Sequence, residues 1–230
     1  QVDYSGIHEL YIEIPEDGVS IPLGGSVDFK GIKLYVSNKA KDMYLFSLQQ
    51  TLMPLNLSKE EFVSGKYLNH IEFRDGLTML VIQDENLWVN NRKGYNYGAT
   101  RKDVILVKQR EALNIPVSSY NTEKSKPIFY YCKTSGNEKL IENLNFIRTA
   151  DCSFKTYCLR IENQNRVTVR NIKIKTPDSD LYGDVAITVN NSTNTKLENI
   201  NIEGTYSQLR TFGYGVFLNN VWNTQIIGMK

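Results

Sequence analysis

The chain has 230 residues, of which 41% are hydrophobic, 27 are basic and 25 are acidic. A chain of this length can bury a substantial core, and its net charge of +2 creates no global field that would favour nucleic acid or an anionic membrane surface. No apolar run approaches the roughly 20 residues that span a bilayer. We therefore expect a folded protein with no nucleic-acid partner and no membrane span.

Residues 9–36 contain the first predicted strands. The segments ELYIEIP, VSIPL and VDFKGIKLYV alternate apolar and polar residues on either side of an EDG turn, as strands with one buried face do. Gly31 interrupts the last of them. We expect short strands here that open the fold.

Residues 37–138 are less regular and are predicted to contain insertions. Ser58 and Glu61 have the spacing of a helix capping box, and 84–103 is a long polar and aromatic run whose charges we interpret chiefly as an ion-paired surface loop. No linker rich in Pro, Gly or Ser separates this stretch from the rest. We therefore predict decorations on one end or side of a single domain, 1–230.

Three cysteines, Cys132, Cys152 and Cys158, show no CxxC pairing and no histidine at metal-ligand spacing. At least one of them must be unpaired within the chain. Buried free thiols are the favoured interpretation, and a bridge between Cys152 and Cys158 is the alternative.

Residues 139–230 contain a repeat. KLIENLNFIR, VTVRNIKIKT and TKLENINIEG align on Asn143, Asn171 and Asn199, which are 28 residues apart (171 − 143 = 199 − 171 = 28). CLRIEN, AITVNN and GVFLNN form a second register at intervals of 28 and 29 residues. Three short strands per repeat cannot form helices or hairpins, so the pattern predicts a coil with three parallel sheets around one core.

The repeated asparagine is predicted to be architectural. It falls at the bend between the second and third sheets, where Asn tolerates the left-handed backbone, and Gly31 and Gly228 occupy the equivalent positions. Stacked amides would also donate to one another, which would leave no buried amide unpaired. We expect a ladder of asparagines rather than catalytic residues.

These coils resemble the right-handed parallel β-helix proteins of the pectin-lyase-like superfamily, which includes pectate lyases, polygalacturonase-type hydrolases and phage-tail proteins. The phrases CLRIENQNRVTVRNIKI and VAITVNNSTNTKLENINI carry the resemblance, and residues 9–36 are similar to the family's amino-terminal start. It implies an all-β, right-handed, single-stranded β-helix, with cap, early coils and insertions in 1–138 and regular coils in 139–230. We expect the coil to continue past Lys230.

The resemblance also implies a substrate groove along the outer face of the first sheet, walled by the loops that join the third sheet to the first. Arg160, Thr188 and Phe217 are the predicted outward positions of that sheet. The predicted site residues on these loops are Asp178, Asp180, Asp184, Tyr182, Tyr206, Arg210 and Tyr214. Aromatic rings such as Tyr182, Tyr206, Tyr214 and Phe217 would stack on sugars.

Two chemistries suit such a site. A hydrolase needs a carboxylic acid and a second carboxylate, for which Asp178, Asp180 and Asp184 are the candidates. A lyase needs a base, for which Arg160 or Arg210 is the candidate, and positive charge on the uronate, often from Ca²⁺ held by aspartates. No motif of either class matches residue by residue. The alternative is a purely structural role, in which these aspartates only cap turns.

We therefore expect a secreted or periplasmic protein that acts on an acidic or neutral polysaccharide as a hydrolase or lyase. The alternative is a non-catalytic carbohydrate-binding or adhesion module, including a tail-fibre-like protein. Such a module would use stacked Tyr and Arg side chains without a carboxylate pair.

Overall fold

The computed structural model of the protein describes residues 6–89, 99–116, 119–150, 152–176, 185–204 and 214–230. Equivalent strands pair in parallel; within 139–204 the register offset is 28 residues, for example Val167 with Thr195, and the next coil follows at 29, for example Ile187 with Val216. The predicted all-β coil with three sheets is therefore confirmed.

The strands of the solenoid are β1 (Glu9–Ile14), β2 (Ile21–Pro22), β3 (Val27–Asp28), β4 (Lys33–Asn38), β5 (Met43–Gln49), β11 (Lys139–Arg148), β12 (Thr156–Glu162), β13 (Asn165–Thr176), β14 (Val185–Gly204), β15 (Tyr214–Trp222) and β16 (Gln225–Ile227). Between β5 and β11 lie β6 (Met53–Leu55), α1 (Lys59–Val63), β7 (Leu77–Val89), β8 (Ala99–Lys108), β9 (Glu111–Ala112) and β10 (Ile128–Thr134), with 3₁₀ turns at Lys66–Asn69 and Ile71–Phe73.

The strands stack into three faces. Sheet 1 is β2, β5, β12 and the first parts of β14 and β15, in that order. Sheet 2 is β3, the first parts of β11 and β13, the middle of β14, and β16. Sheet 3 is β1, β4 and the last parts of β11, β13 and β14. The longest strands bend between faces, so that one of them serves two or three sheets.

The core is a set of stacked aliphatic columns. Leu159 pairs with Ile187 and Ile161 with Val189, and all four are at most 3% exposed. Burying one such side chain fully contributes about 1.5 to 3 kcal/mol. Successive side chains of a strand point to opposite faces, so the residues between these buried ones point outward and form the outer face of sheet 1.

The bend between sheets 2 and 3 carries the predicted asparagine ladder. Asn199 Nδ2 donates to Asn171 Oδ1 at 3.2 Å, and Asn171 Nδ2 donates to Asn143 Oδ1 at 3.1 Å. All three have positive φ, between 52° and 60°, and Gly31 and Gly228 also have positive φ, at 75° and 64°. The ladder is confirmed, but Asn171 and Asn199 are exposed, so it does not serve to pair buried amides as expected.

This ladder ends on a carboxylate. Asn143 Nδ2 donates to Asp28 Oδ1 at 2.9 Å, and the Lys30 ammonium lies 2.6 Å from Asp28 Oδ2. The hydrogen bond from Lys30, followed by that from Asn143, lowers the pKa of Asp28 from 3.8 to about 2. The Asp28 carboxyl, at the Asn143 end of the ladder, is therefore ionised at neutral pH.

A second asparagine column lies at the bend that leaves sheet 1. Asn191 Nδ2 donates to Asn163 Oδ1 at 3.2 Å, and Asn220 Nδ2 donates to Asn191 Oδ1 at 2.9 Å. Asn163 and Asn191 are each 7% exposed. This column, which the repeat analysis did not single out, is the one that pairs buried amides.

The insertion between β5 and β11 forms an antiparallel sheet, with strand order β6, β10, β7, β8, β9. Met79 and Val81 on one side of β7 belong to a small cluster against which Trp222 of the solenoid packs. Leu80 and Ile82 on the other side belong to a separate core with Phe62 of α1. The sheet therefore lies between the solenoid and its own helical cover.

Local contacts explain the insertion's helix and its attachment. Ser58 and Glu61 form the predicted capping box, with Glu61 N donating to Ser58 Oγ at 3.1 Å. At the solenoid, Asn165 Nδ2 donates to Ser135 O at 3.0 Å and Arg166 Nη1 donates to Gly136 O at 2.7 Å. The insertion thus decorates the side of the coil at the corner between sheets 1 and 2.

The cysteines are free, as favoured from the sequence. Cys132 and Cys158 are 1% exposed, whereas Cys152 is half-buried. Burial raises the pKa of the Cys132 thiol to about 12 and raises that of Cys158 further. The predicted burial is therefore confirmed for two of the three.

Candidate functional site

The outer face of sheet 1 aligns polar and aromatic side chains across neighbouring coils. Arg160 of β12 is in register with Ser47 of β5 on one side and with Thr188 of β14 on the other. Thr188 is in register with Phe217 of β15. The three positions predicted from the repeat therefore form one row, about 4.8 Å apart at each step.

Two tyrosines that sequence reasoning missed lie beside this row. The rings of Tyr44 and Tyr157 are 4.7 Å apart between centroids at an interplanar angle of 38°. Tyr44 extends from β5 across β12, and its hydroxyl is 2.6 Å from Thr188 Oγ1 of β14. This contact explains why Thr188 is only 3% exposed.

Arg160 is held from two directions. Its guanidinium carbon lies 5.8 Å from the centroid of the Tyr44 ring, and its Nη2 lies 2.7 Å from Glu162 Oε2. The Arg160 side chain is 37% exposed and that of Glu162 21%. A guanidinium offers donors and no acceptor, so this geometry suits binding better than proton abstraction. The predicted role of Arg160 as a base stays a prediction.

A buried cation lies at the corner between sheets 3 and 1. Arg148, 3% exposed, follows Leu144 and Phe146 on the inward side of β11. Arg148 is in register with Val36 of β4; two residues later on that strand, Asn38 is fully buried, and its Nδ2 donates to Thr156 Oγ1 at 3.0 Å. The alternation of 144, 146 and 148 could have revealed this arginine, which the sequence analysis overlooked.

Most of the predicted loop residues cannot be placed. Asp178, Asp180, Asp184, Tyr182, Tyr206 and Arg210 lie outside the described residues. Tyr214 is the first residue of β15 and pairs with Val185 through the backbone, but its side chain also lies outside the described part. The catalytic and sugar-stacking roles of these residues therefore remain predictions, whereas Phe217 is 40% exposed in the row described above.

Buried carboxylates elsewhere have structural partners. Asp84 accepts from Ser125 Oγ at 2.6 Å and from Lys126 N at 3.0 Å. Asp103 accepts from the Tyr120 hydroxyl at 2.6 Å, and burial, followed by this bond, raises the pKa of Tyr120. These bonds tie the segment before β10 to the insertion's sheet. Residues 84–89 and 99–103 belong to β7 and β8 rather than to the predicted surface loop, and 90–98 lie outside the described residues, so the ion-paired interpretation of the run stays a prediction.

Within the part of the chain that the structure describes, no group of three or more His, Cys, Asp or Glu side chains could hold a metal ion. Calcium was expected only for a lyase, and the aspartates that would bind it lie outside the described residues. The calcium site of a lyase therefore stays a prediction.

In the same described residues, no helix is long and apolar enough to cross a membrane. No family model matches the chain, and no curated protein matches it as a relative. Membership of the pectin-lyase-like superfamily thus stays a prediction, while the parallel β-solenoid itself stands on the strand pairing.

Proposed function

We propose that this protein is a secreted or periplasmic, polysaccharide-active β-helix of pectin-lyase-like type, which holds a glycan chain along the outer face of sheet 1. The observation that carries the proposal is the pair of Tyr44 and Tyr157 beside Arg160 and Phe217, which are the exposed members of the row, whereas Thr188 is covered by Tyr44. Aromatic faces stack on sugar rings, and the neighbouring polar groups can hydrogen-bond sugar hydroxyls. A row that crosses several coils suits an extended polymer better than a small ligand.

The reaction proposed for this surface is hydrolysis or lyase cleavage of the glycan. Asp178, Asp180 and Asp184 are the proposed acid and base, supplied by the loop that follows β13. In a hydrolase, one carboxylic acid would protonate the leaving oxygen while a second carboxylate activates water or attacks the sugar.

A non-catalytic glycan-binding or adhesion module is the second candidate. One observation favours it: Glu162 is the only carboxylate on the described strands of sheet 1, and it is already paired with Arg160. Such a surface could retain a polymer without breaking it.

Binding is tested with the full chain on a panel of plant and microbial polysaccharides. Tyr157→Ala should weaken binding about three- to tenfold, because it removes a stacking ring. Tyr11→Ala is the matched control, since Tyr11 stacks on Tyr35 at 4.6 Å on the remote sheet 3. Equal affinities of the two variants, or no binding by the wild type, would contradict the proposed surface.

Catalysis is tested on the polymers that bind. Release of reducing ends identifies a hydrolase, and a rise in absorbance from unsaturated products identifies a lyase. Retained binding with silence in both assays would leave the non-catalytic candidate. Asp184→Asn and Asp178→Asn should abolish any activity without changing the affinity for the polymer.

A further inference from the structure

The outer face of sheet 1 is electrically balanced. Among β2, β5, β12 and the segments 185–190 and 214–219, the only charged residues are Arg160 and Glu162. Their side chains are joined at 2.7 Å. The described part of this face therefore offers a ligand no unpaired positive charge.

The pair is fixed in place. The Tyr44 ring covers the guanidinium of Arg160, while the Tyr44 hydroxyl contacts Thr188 two strands away. Arg160 Nε is buried, so the exposed donors are at the end of the guanidinium that already faces Glu162. A ligand carboxylate that approached this end would lie close to the negative charge of Glu162. Two like charges about 4 Å apart repel by about 1 kcal/mol even in water.

A sugar hydroxyl meets no such barrier. A carboxylate oxygen retains acceptor capacity after one ion pair, and a guanidinium has five N–H donors, so the pair can accept from one hydroxyl and donate to another. The register continues this polar row from Gln49 through Glu162 to Asn190 and Asn219, all uncharged except Glu162. Amide and carboxylate side chains in such a row suit hydroxyl groups.

From these contacts, and resting on the glycan site proposed above, we infer that Glu162 sets the charge selectivity of sheet 1. It neutralises Arg160, so the face binds uncharged glycan chains and rejects chains that carry carboxylate groups. Of the two reactions proposed above, the inference therefore selects hydrolysis, because a lyase of this type acts on a uronate. Without Glu162, the same arginine would attract a uronate.

The test compares pairs of polymers that differ only in charge. Polygalacturonate, alginate and hyaluronate are each used beside their carboxyl-reduced, neutral forms, together with the neutral polymers mannan, xyloglucan and galactan. Dissociation constants are measured for the wild-type full chain and for Glu162→Gln, which keeps the shape of the side chain. The wild type should prefer the neutral polymers, and Glu162→Gln should raise the acidic-to-neutral affinity ratio about fivefold.

The chain offers a matched control. Glu198 of sheet 2 lies 3.2 Å from Lys196, two residues earlier on the same strand, as Glu162 lies two residues after Arg160. Glu198→Gln changes the net charge equally but on another face, so it should leave the affinity ratio unchanged. Thermal unfolding by circular dichroism verifies that both variants are folded.

The outcomes separate the inference from the function on which it rests. Wild-type preference for an acidic polymer over its reduced form, or an unchanged ratio in Glu162→Gln, overturns the inference and leaves the glycan site standing. A ratio that rises equally in Glu198→Gln also overturns it, because net charge alone then explains the effect. Absence of binding to every polymer overturns the proposed function, and the inference falls with it.

Discussion

Replacing Asn191 with glycine is expected to lower the free energy of unfolding by about 2 to 3 kcal/mol. The Asn191 side chain makes two hydrogen bonds to other side-chain amides: it donates to Asn163 at 3.2 Å and accepts from Asn220 at 2.9 Å. Each contributes about 1 kcal/mol. Asn163 is only 7% exposed, so water cannot readily replace the lost donor at its Oδ1.

The same replacement at Asn171 is the internal comparison. Asn171 also makes two hydrogen bonds to side-chain amides, at 3.1 and 3.2 Å, but it is exposed. Water can replace these hydrogen bonds, so the expected loss in the free energy of unfolding is about 1 kcal/mol. Both residues have positive φ, 43° at Asn191 and 55° at Asn171, which glycine adopts without strain. The entropy that glycine adds to the unfolded chain is the same at both positions and cancels in the comparison.

Urea unfolding, followed by circular dichroism, measures both losses. Alanine at either position should lose a further 1 to 2 kcal/mol or so, because it must adopt the left-handed conformation. Losses for the two glycine variants that agree within about 0.5 kcal/mol, or a larger loss at Asn171, would refute the claim that burial of the amide column decides its contribution.

Three further outcomes are expected. Because its pKa is lowered, ionised Asp28 adds about 1 kcal/mol to the free energy of unfolding above pH 3.8, and this contribution is lost as the pH falls towards 2. Asp28→Asn should therefore flatten this part of an acid-unfolding curve. In the native protein an aromatic disulfide reagent should label Cys152 and spare Cys158, whose buried thiol should react only after unfolding; native labelling of Cys158 would show that the core opens. Tyr120→Phe should lower the midpoint of thermal unfolding, corresponding to about 1 to 3 kcal/mol, because the buried Asp103 loses its phenolic donor; an unchanged midpoint would mean that another group replaces it.

The coil could be predicted because its information is local and repeated. Each repeat carries its own alternation and its own bend residue, so Asn143, Asn171 and Asn199 reveal the period without knowledge of contacts. The buried column at Asn163 and Asn191 follows the same 28-residue interval. It was overlooked because Asn163 and Asn191 have polar neighbours in the sequence, so neither stands out as a single polar residue between apolar ones.

The fold of the insertion and the position of the tyrosine pair could not be predicted, for one shared reason. Tyr44 and Tyr157 are brought into register by β5 and β12, but residues 50–138 separate the two halves of the coil to which β5 belongs. No periodic pattern survives an interruption of this length. Antiparallel pairing of β7, β8 and β10 likewise depends on contacts between distant residues rather than on a repeated signal.

The columns of side chains imply a rule for how such a protein can change in length. The left-handed positions that bound sheet 2 keep one spacing in three successive coils: Asn163 and Asn171, Asn191 and Asn199, Asn220 and Gly228 (171 − 163 = 199 − 191 = 228 − 220 = 8). Asn191 and Asn220 are 29 rather than 28 positions apart, and the one extra residue falls outside those spans. The hydrogen bond between the two side-chain amides is still formed. Residues can therefore be gained or lost where the chain passes from sheet 3 to sheet 1 without disturbing the amide columns. The scaffold thus lets loops beside the proposed glycan surface diversify independently of the coil that supports them.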